Sequence, residues 1–353
     1  MIKEILEEPE VIRKTIVEEK ENIRRIASLL RAENYEMTYI TGSGTSYHAG
    51  LASQYALSSL TDMIVSAIPA SEFNRWVPQS LPRKTLLIAI SQSGESTDII
   101  NAAKAALRRK MSVLAVTNTP GSTLASLADY TIFPRSGREV AVPATKTYVA
   151  QLVTIFMLAL EIASLKEEHS ADIENLRRSL FDVPELIEDI FRSSSGIIRE
   201  TAKKYKDENL MFILGSGPNY ATALEAALKL KETCMVFAEG FATREFLHGP
   251  VRLVDERTLV IMICPSDEID DYINLSSSFK GFGANIISIM EESESSRKSL
   301  ASIFDDVFYV PPGLPKIFSP IIFVVPIQMF AYYLSIFRGL NPDMPEKLTK
   351  VVR

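Results

Sequence analysis

The spacing of apolar residues changes near residue 36, and this change predicts where helix gives way to sheet. In residues 1–35, isoleucines and leucines recur every three or four positions among charged residues, which predicts a helical segment. Runs that are apolar throughout follow at 37–41, 86–90, 113–117 and 130–133. Small polar residues end most of these runs and helical spacing resumes behind them, so we predict strands that alternate with helices.

The apolar runs do not alternate with polar positions as a half-exposed strand would. Strands that are apolar on both faces are typical of a parallel sheet covered by helices on both sides, which predicts an α/β fold. After a charged, mostly helical stretch the pattern returns, and YITGSGTS at 39–46 is matched by FILGSGPN at 212–219. Further strands are predicted at 211–214, 259–264 and 285–290, but this half has no copy of the SQSGES sequence at 91–96. We therefore predict two similar halves. The predicted parts are an N-terminal helical segment (1–35), a first domain (36–165), a helical connection (166–205), a second domain (206–338) and a C-terminal tail (339–353).

Composition excludes several classes of protein. A chain of 353 residues exceeds one ordinary core, and 46% hydrophobic with 23% charged residues is usual for a globular protein. A net charge of −6 leaves no basic surplus for a nucleic-acid partner. Cys234 and Cys264 cannot form a disulfide framework, and both lie in apolar runs, so we expect buried thiols.

The N-terminal residues contain no apolar signal-peptide core, so we expect a cytoplasmic protein. Residues 320–337 carry no charge and nearly reach the length of a membrane-spanning helix. This stretch includes Pro326, Gln328 and two tyrosines, and nothing else in the chain looks membranous. We therefore predict a buried core helix there and no membrane partner.

Two loops that follow predicted strands have the composition of an anion site. In the first, Gly42 and Gly44 precede Thr45 and Ser46 at a helix start, where backbone N–H groups favour a negative charge. No lysine follows as in a Walker loop, and the third glycine of a dinucleotide motif is missing. A tight turn with a helix N-cap explains the same residues, and this loop alone does not decide between the two interpretations.

The second loop, SQSGEST, favours the anion site. It places hydroxyl groups and one amide between a buried strand and a helix: Ser91, Gln92, Ser93, Ser96 and Thr97. A cap needs one hydroxyl, and loops at the carboxyl ends of parallel strands are where ligands bind. The lack of cations fits a sugar phosphate held by neutral hydrogen bonds. A serine hydrolase using Ser93 and His248 is disfavoured, because the glycine two places before the nucleophile is missing.

A third group of candidate residues lies between 223 and 250. Glu225, Lys229 and Glu232 fall on one face of a predicted helix, while Lys231 points elsewhere. A solvated row of salt bridges is the common explanation, but the helix is otherwise rich in Ala and Leu, which fits a face turned toward a pocket. His248 follows in a loop. A lone histidine is more often structural than catalytic, but a histidine close to a lysine and a carboxylate suits proton transfer near neutral pH.

The histidines at 48, 169 and 248 lie far apart, and the chain has no CxxC motif. Neither pattern has the ligand spacing of a zinc site. We therefore expect no metal and no cofactor.

Six motifs occur in the order found in one known family: TGSGTSYHAG, SQSGEST, EVAVPATK, ALEAALKLKE, EFLHGP and RGLNPDMPEKLTK. They resemble the sugar isomerase (SIS) domain family, and within it the isomerase half of glucosamine-6-phosphate synthases. The resemblance covers nearly the whole chain. It implies two SIS domains, each a five-stranded parallel sheet flanked by helices in three layers.

The resemblance also implies roles for single residues. Phosphate and sugar binding are implied for residues of the loops and of the EVAVPATK motif: Gly44, Thr45, Ser46, Ser91, Gln92, Ser93, Ser96 and Val142. Glu232 corresponds to the glutamate that moves a proton between C1 and C2, with Lys229 and Glu225 as its helix partners. His248 corresponds to a histidine that helps open the sugar ring from a neighbouring subunit, and Lys350 to a lysine that forms an imine with the ketose carbonyl.

This chain departs from the family pattern at four places. Ile2 follows Met1 where the synthases have a catalytic cysteine, so we expect no glutamine-hydrolysing domain. Ala144 replaces a serine, which removes one hydroxyl contact. Leu247 stands where the family often has lysine, and the tail stops at Arg353, a few residues short. These departures bear on the substrate more than on the reaction class.

The resemblance implies an enzyme that interconverts glucosamine 6-phosphate with fructose 6-phosphate and ammonia, most plausibly a deaminase. A fructosamine-6-phosphate deglycase is a close variant. A non-catalytic sugar-phosphate sensor, or a regulatory partner of a separate glutaminase, is the alternative from another class. The family also implies a homodimer whose site is shared between subunits.

Overall fold

The computed structural model of the protein describes residues 1–61, 63–82, 84–166, 170–293 and 303–351. His169, one of the three histidines weighed as metal ligands, lies outside the described residues.

The chain divides into two compact units that exchange short segments. The N-terminal unit comprises Glu7–Glu139, Ala144–Pro184 and Thr349–Arg353, and the C-terminal unit comprises Met1–Leu6, Val140–Pro143 and Glu185–Leu348. The end of the chain therefore belongs to the N-terminal unit. The first residues, in turn, belong to the C-terminal unit.

The helical segment predicted over residues 1–35 is two helices, α1 (Ile2–Leu6) and α2 (Glu8–Glu33). Pro9 lies in the first turn of α2. Proline has no backbone N–H and fits the first turn of a helix better than its interior, so the break at Glu7 has a local cause.

The N-terminal unit is built on a parallel sheet with strand order β2-β1-β3-β4-β5. Its strands are β1 (Met37–Gly42), β2 (Ile64–Pro69), β3 (Thr85–Ser91), β4 (Ser112–Thr117) and β5 (Tyr130–Ile132). Its helices after α2 are α3 (Thr45–Leu60), α4 (Ala70–Trp76), α5 (Thr97–Arg108), α6 (Thr123–Leu127), α7 (Lys146–Ser164) and α8 (Ser170–Phe181). Strand β3 is buried along its whole length, as its unbroken apolar sequence predicts.

The C-terminal unit repeats this plan, with strand order β7-β6-β8-β9-β10. Its strands are β6 (Leu210–Gly215), β7 (Phe237–Ala242), β8 (Thr258–Cys264), β9 (Asn285–Glu291) and β10 (Asp306–Val310). Its helices are most of α9 (Val183–Lys204), then α10 (Pro218–Cys234), α11 (Ile269–Gly281) and α12 (Pro320–Phe337). Cys234 and Cys264 are both buried, as predicted.

The sequence repeat reflects a repeated backbone. In each unit the first strand pairs with the second strand on one side and the third on the other. Gly44 and Gly217 precede α3 and α10 with nearly the same dihedral angles, φ 53° and ψ −125° against φ 53° and ψ −130°. Only glycine adopts such angles without strain. The prediction of two five-stranded parallel sheets in an α/β fold is confirmed.

Strands β2, β7 and β10 were not recognised individually in the sequence. Each is an edge strand, and β2 and β7 are only partly buried. An edge strand meets solvent on one side, so its sequence need not be apolar throughout, and the pattern that revealed the central strands is absent.

Two helices, α7 and α12, are long and apolar enough to cross a membrane by length and composition. In their most apolar windows, 89% and 78% of the residues are buried inside the protein. Core helices of globular proteins have this character. The burial of 320–337 agrees with the prediction of a core helix there, and α7 is a second helix of the same kind.

Candidate functional site

The two hydroxyl-rich loops lie side by side in the N-terminal unit. They follow the adjacent strands β1 and β3, and the chain leaves these strands for opposite sides of the sheet. In open α/β sheets, ligands bind in the crevice at such a switch point. Helices α3 and α5 begin directly behind the two loops, and their N-cap residues, Gly44 and Ser96, make no capping hydrogen bond through a side chain. This end of the sheet is therefore suited to an anion.

The serines of the second loop are arranged to donate hydrogen bonds. Ser91 Oγ accepts from the backbone N–H of Gly94 at 3.1 Å, and Ser93 Oγ accepts from that of Glu95 at 3.2 Å. A hydroxyl carries one hydrogen and two lone pairs. Because a lone pair of each serine already takes a backbone donor, each hydroxyl hydrogen can point to a ligand oxygen.

The single carboxylate of the loop is held by a neighbouring helix. Glu95 accepts hydrogen bonds from the backbone N–H of Thr123 at 2.8 Å and from its hydroxyl at 2.9 Å, at the start of α6. The positive end of a helix dipole stabilises a negative charge there. An acidic residue in this loop thus serves as a cap and does not exclude an anionic ligand.

Gly94 is required by the shape of the loop. Its φ is +67°, and a Cβ at this position would lie 2.6 Å from Cβ of Ser122, the N-cap of α6. Gly121 has a similar φ of +74°, but nothing lies within 4 Å of its added Cβ. Substituting Gly121 would introduce backbone strain alone, whereas substituting Gly94 would introduce both strain and a steric clash.

We expect Gly94→Ala to lower the free energy of unfolding by about 2–4 kcal/mol, since strain at positive φ and overpacking add. Gly121→Ala should lower it by only about 1 kcal/mol, from the strain alone. Urea denaturation of both variants measures the difference. Equal losses would show that the contact with Ser122 does not constrain the loop.

Ser46 lies at the second position of α3 and contacts a buried amide. Gln151 of α7 is 1% exposed, and its Nε2 donates to Ser46 Oγ at 3.1 Å. Sequence reasoning missed Gln151. Its signal was a single amide within a helix that is otherwise almost wholly apolar over 148–160.

Lys350, in the tail segment that belongs to the N-terminal unit, is held by Glu139. Its Nζ donates to Glu139 Oε2 at 2.6 Å. The other oxygen of this carboxylate accepts from the backbone N–H groups of Thr145 and Thr147 at 2.9 and 3.2 Å, at the start of α7. Glu139 is 5% exposed, so it joins the tail lysine to a helix N-terminus inside the protein. Glu139 opens the EVAVPATK motif, but the sequence alone did not mark it as a functional residue.

The charged residues of α10 form a buried row in the C-terminal unit. Lys229 Nζ lies 3.3 Å from Glu225 Oε1 and donates to Glu232 Oε2 at 2.5 Å. The side chains of Glu225 and Lys229 are fully buried, whereas that of Glu232 is 19% exposed. Lys231 is exposed, as its position on the helix predicts. The explanation as a solvated row of salt bridges is therefore wrong.

Lys229 remains an ammonium group in this row. Burial alone would lower its pKa, but the nearby carboxylates of Glu225 and Glu232 outweigh burial and raise the pKa above its ordinary value. The ammonium ion gives Glu232 a fixed hydrogen-bond donor. Of the three side chains, the one that reaches the surface is the carboxylate of Glu232.

The remaining predicted residues lie on separate segments. His248 is exposed at the end of a 3-10 turn, Glu245–His248. Within the described chain, no hydrogen bond or ion pair joins it to the row on α10. Val142 belongs to the C-terminal unit, where its backbone N–H donates to the carbonyl of Asp343 at 2.8 Å. Gln92 and Thr45 are half-buried in their loops.

The equivalent crevice of the C-terminal unit carries acidic groups. After β6 and β8, Ser216 donates to Glu268, and Lys316 pairs with Glu268 and, at 3.0 Å, with Asp267. The hydroxyl of Ser216 and the ammonium of Lys316 are thus already bound to the carboxylate of Glu268. This is the structural counterpart of the missing second SQSGES loop.

Among the described residues, no three His, Cys, Asp or Glu side chains are grouped so that they could hold a metal ion. His48 and His248 belong to different units. The N-terminal unit thus contains the two hydroxyl-rich loops and a lysine held by Glu139, and the C-terminal unit contains a buried acid–base row.

Comparison with known proteins gives a consistent assignment. The family model of the SIS domain matches residues 34–161 and 204–338. The glutamine–fructose-6-phosphate aminotransferase (isomerizing) of Thermococcus kodakarensis is 39% identical over 354 residues, covering all of this chain and 57% of that protein. The enzyme of the same name from Methanothermobacter thermautotrophicus is 36% identical with the same coverage. The chain thus spans somewhat over half the length of these relatives.

Solved structures match over nearly the whole chain. The C-terminal domain of glucosamine-fructose-6-phosphate aminotransferase from Francisella tularensis has a TM-score of 0.89 and 26% identity, covering 98% of each chain. Glucosamine-6-phosphate deaminase from Thermotoga maritima has a TM-score of 0.78 and 25% identity, covering 99% of this chain and 98% of that one. Together with the two matched domains, these similarities show that the chain belongs to the SIS domain family.

Proposed function

We propose that this protein is a phosphosugar isomerase acting on amino sugars, of the glucosamine 6-phosphate deaminase type. The observation that carries the proposal is the buried row on α10, in which Glu232 alone reaches the surface while hydrogen-bonded to a buried ammonium. A ketose–aldose interconversion needs one such positioned carboxylate. General acid–base catalysis by a positioned group contributes about 10²- to 10⁴-fold.

The hydroxyl-rich loop supplies the phosphate anchor. Ser91, Ser93 and Ser96, with the N-termini of α3 and α5, offer neutral donors and positive helix ends. Neutral donors hold a phosphate without a lysine or arginine beside it. At position 144, where the family resemblance implies a serine, this chain has alanine, which would remove one hydroxyl from the sugar contacts.

In the proposed reaction, Glu232 takes the C2 proton of open-chain glucosamine 6-phosphate and delivers it to C1, while the amine loses one N–H proton and the aldehyde oxygen gains one. The product is an imine at C2. Water adds to it, ammonia leaves, and fructose 6-phosphate remains. In the reverse direction, Lys350 would form an imine with the ketose carbonyl with loss of water, and ammonia would then displace the lysine amine from C2, which is covalent catalysis. The imine at C2 makes the C1 hydrogens more acidic, and Glu232 would move one of them to C2.

The names of the relatives support both halves of the proposal. Relatives that share this whole chain are named isomerizing aminotransferases, and a structure of similar extent is named a glucosamine-6-phosphate deaminase. For this chain, we propose ammonia as the amine that is released or taken up.

The test is to incubate the purified chain with glucosamine 6-phosphate and to assay ammonia and fructose 6-phosphate separately. Equal amounts of both products are expected, and glucosamine without phosphate should give neither. If fructose 6-phosphate binds but no products form, borohydride reduction comes next. A sugar trapped on Lys350 would indicate a deglycase for another amine, and its absence would indicate a sensor. In both cases the missing products contradict the proposed reaction.

A further inference from the structure

Gln151 is a buried amide with half of its bonding capacity unused. It lies on α7 among side chains that are nearly all apolar and buried. Its Nε2 donates to Ser46 Oγ, but its Oε1 has no hydrogen-bond partner among the described residues. Leaving a buried polar atom without a partner destabilises a protein. A methionine would fill the same volume without burying a polar atom that lacks a partner, so stability does not explain the glutamine.

The contact with Ser46 fixes the direction of a hydrogen bond. The Nε2 group can only donate, so Ser46 Oγ must accept from it. The hydroxyl hydrogen of Ser46 is then directed elsewhere, and within the described chain no protein acceptor takes it. Ser46 is half-buried at the start of α3, and the strand before it, β1, is adjacent to the strand that leads into the SQSGES loop. Its hydrogen is therefore available to an oxygen atom of a bound ligand.

We propose that Gln151 is a positioning residue, which makes Ser46 a hydrogen-bond donor to a sugar oxygen of the bound phosphosugar. The inference rests on the proposed function, since it requires a sugar phosphate in this crevice. It concerns the sugar and not the phosphate, because the loop serines carry the phosphate contacts in the proposed arrangement. Gln151 would thus contribute to recognition without touching the ligand.

A double-mutant cycle tests this role through the dissociation constant of fructose 6-phosphate, measured by calorimetric titration. We expect Ser46→Ala and Gln151→Met each to weaken binding about 5- to 10-fold, the loss of one neutral hydrogen bond. The double variant should bind no more weakly than the weaker single variant, because each change removes the same bond. Gln151→Glu keeps the volume but offers only acceptors, so it should consume the Ser46 hydrogen and weaken binding at least as much as Ser46→Ala.

Thr154→Val is the matched control on the same helix. Thr154 is buried, and its hydroxyl donates to the carbonyl of Ala150, one turn earlier, at 2.7 Å. This variant should bind fructose 6-phosphate like wild type, and inorganic phosphate should bind all variants within about twofold.

Two results would overturn the inference. Losses that multiply to about 25- to 100-fold in the double variant would show that Gln151 and Ser46 act independently. Unchanged binding in Gln151→Met would show that the amide has no role. If wild-type protein does not bind fructose 6-phosphate at all, the proposed function fails, which is a different outcome from additivity in a protein that binds.

Discussion

Replacing Glu232 by glutamine should lower the turnover of glucosamine 6-phosphate by about 10²- to 10⁴-fold, the contribution of a positioned base. Glutamine has nearly the same shape and can still contact Lys229, but it cannot take up a proton. The affinity for fructose 6-phosphate should stay within a few-fold of wild type. Steady-state kinetics and calorimetric titration give the two quantities separately.

A second carboxylate in the same unit provides the control. Glu239 on β7 is exposed, and Glu239→Gln removes one negative charge without touching the row on α10. We expect wild-type turnover from this variant. Turnover by Glu232→Gln at the wild-type rate would refute the assignment of the base, whatever the overall reaction is.

Replacing Lys229 by methionine should lower the free energy of unfolding by about 3–5 kcal/mol, because removing one partner of a buried ion pair leaves an uncompensated charge. Glu225 is fully buried, and its carboxylate would lose the ammonium that lies 3.3 Å away. Urea denaturation at pH 7.5 measures the loss. Lys231→Met, two positions further on the exposed face, should change the stability by less than about 0.5 kcal/mol.

The pH dependence of this contribution follows from the sign of the pKa shift. The pKa of Lys229 is raised above its ordinary value of 10.5. A raised pKa in the folded state stabilises the protein fully below the unfolded value, and the gain is lost as the pH rises through the folded value. At pH 7.5 the ion pairs of Lys229 therefore make their full contribution to the free energy of unfolding.

A double variant makes the test of this row sharper. In Glu225→Leu combined with Lys229→Met, the charge that the single variant leaves buried is also removed. Replacing both partners by apolar side chains is often close to neutral, so part of the loss should be recovered. A double variant that is less stable than Lys229→Met would contradict the buried-charge explanation.

The fold was predictable to the extent that central strands are apolar on both faces. Strands β1, β3, β4, β6, β8 and β9 follow from unbroken apolar runs, and the matching glycine turns before α3 and α10 predict the two halves. Edge strands such as β2 and β7 were missed because partial exposure removes that pattern. The short segments Val140–Pro143 and Thr349–Arg353 belong to a different unit from the residues next to them in the chain, and no feature of their composition predicts this.

The candidate site was predictable where its residues are close in sequence. The serines of one loop and the i, i+4 and i+7 row on α10 could be grouped by spacing alone. Gln151 and Glu139 acquire meaning from contacts with Ser46 and Lys350, which lie 105 and 211 positions away. The Ala- and Leu-rich helix indicated a face turned toward a pocket, but it did not predict that Lys229 is fully buried, since a charged row has the same spacing when it faces solvent.

The most direct test of a single proton-transferring carboxylate is hydrogen exchange at C1 of fructose 6-phosphate. The chain is incubated with fructose 6-phosphate in D₂O, and proton NMR follows the C1 signals. The wild-type protein is expected to replace one C1 hydrogen by deuterium, and Glu232→Gln to replace none within the same time. Wild-type protein that binds the sugar without exchange, or exchange that survives in Glu232→Gln, would contradict the proposed mechanism.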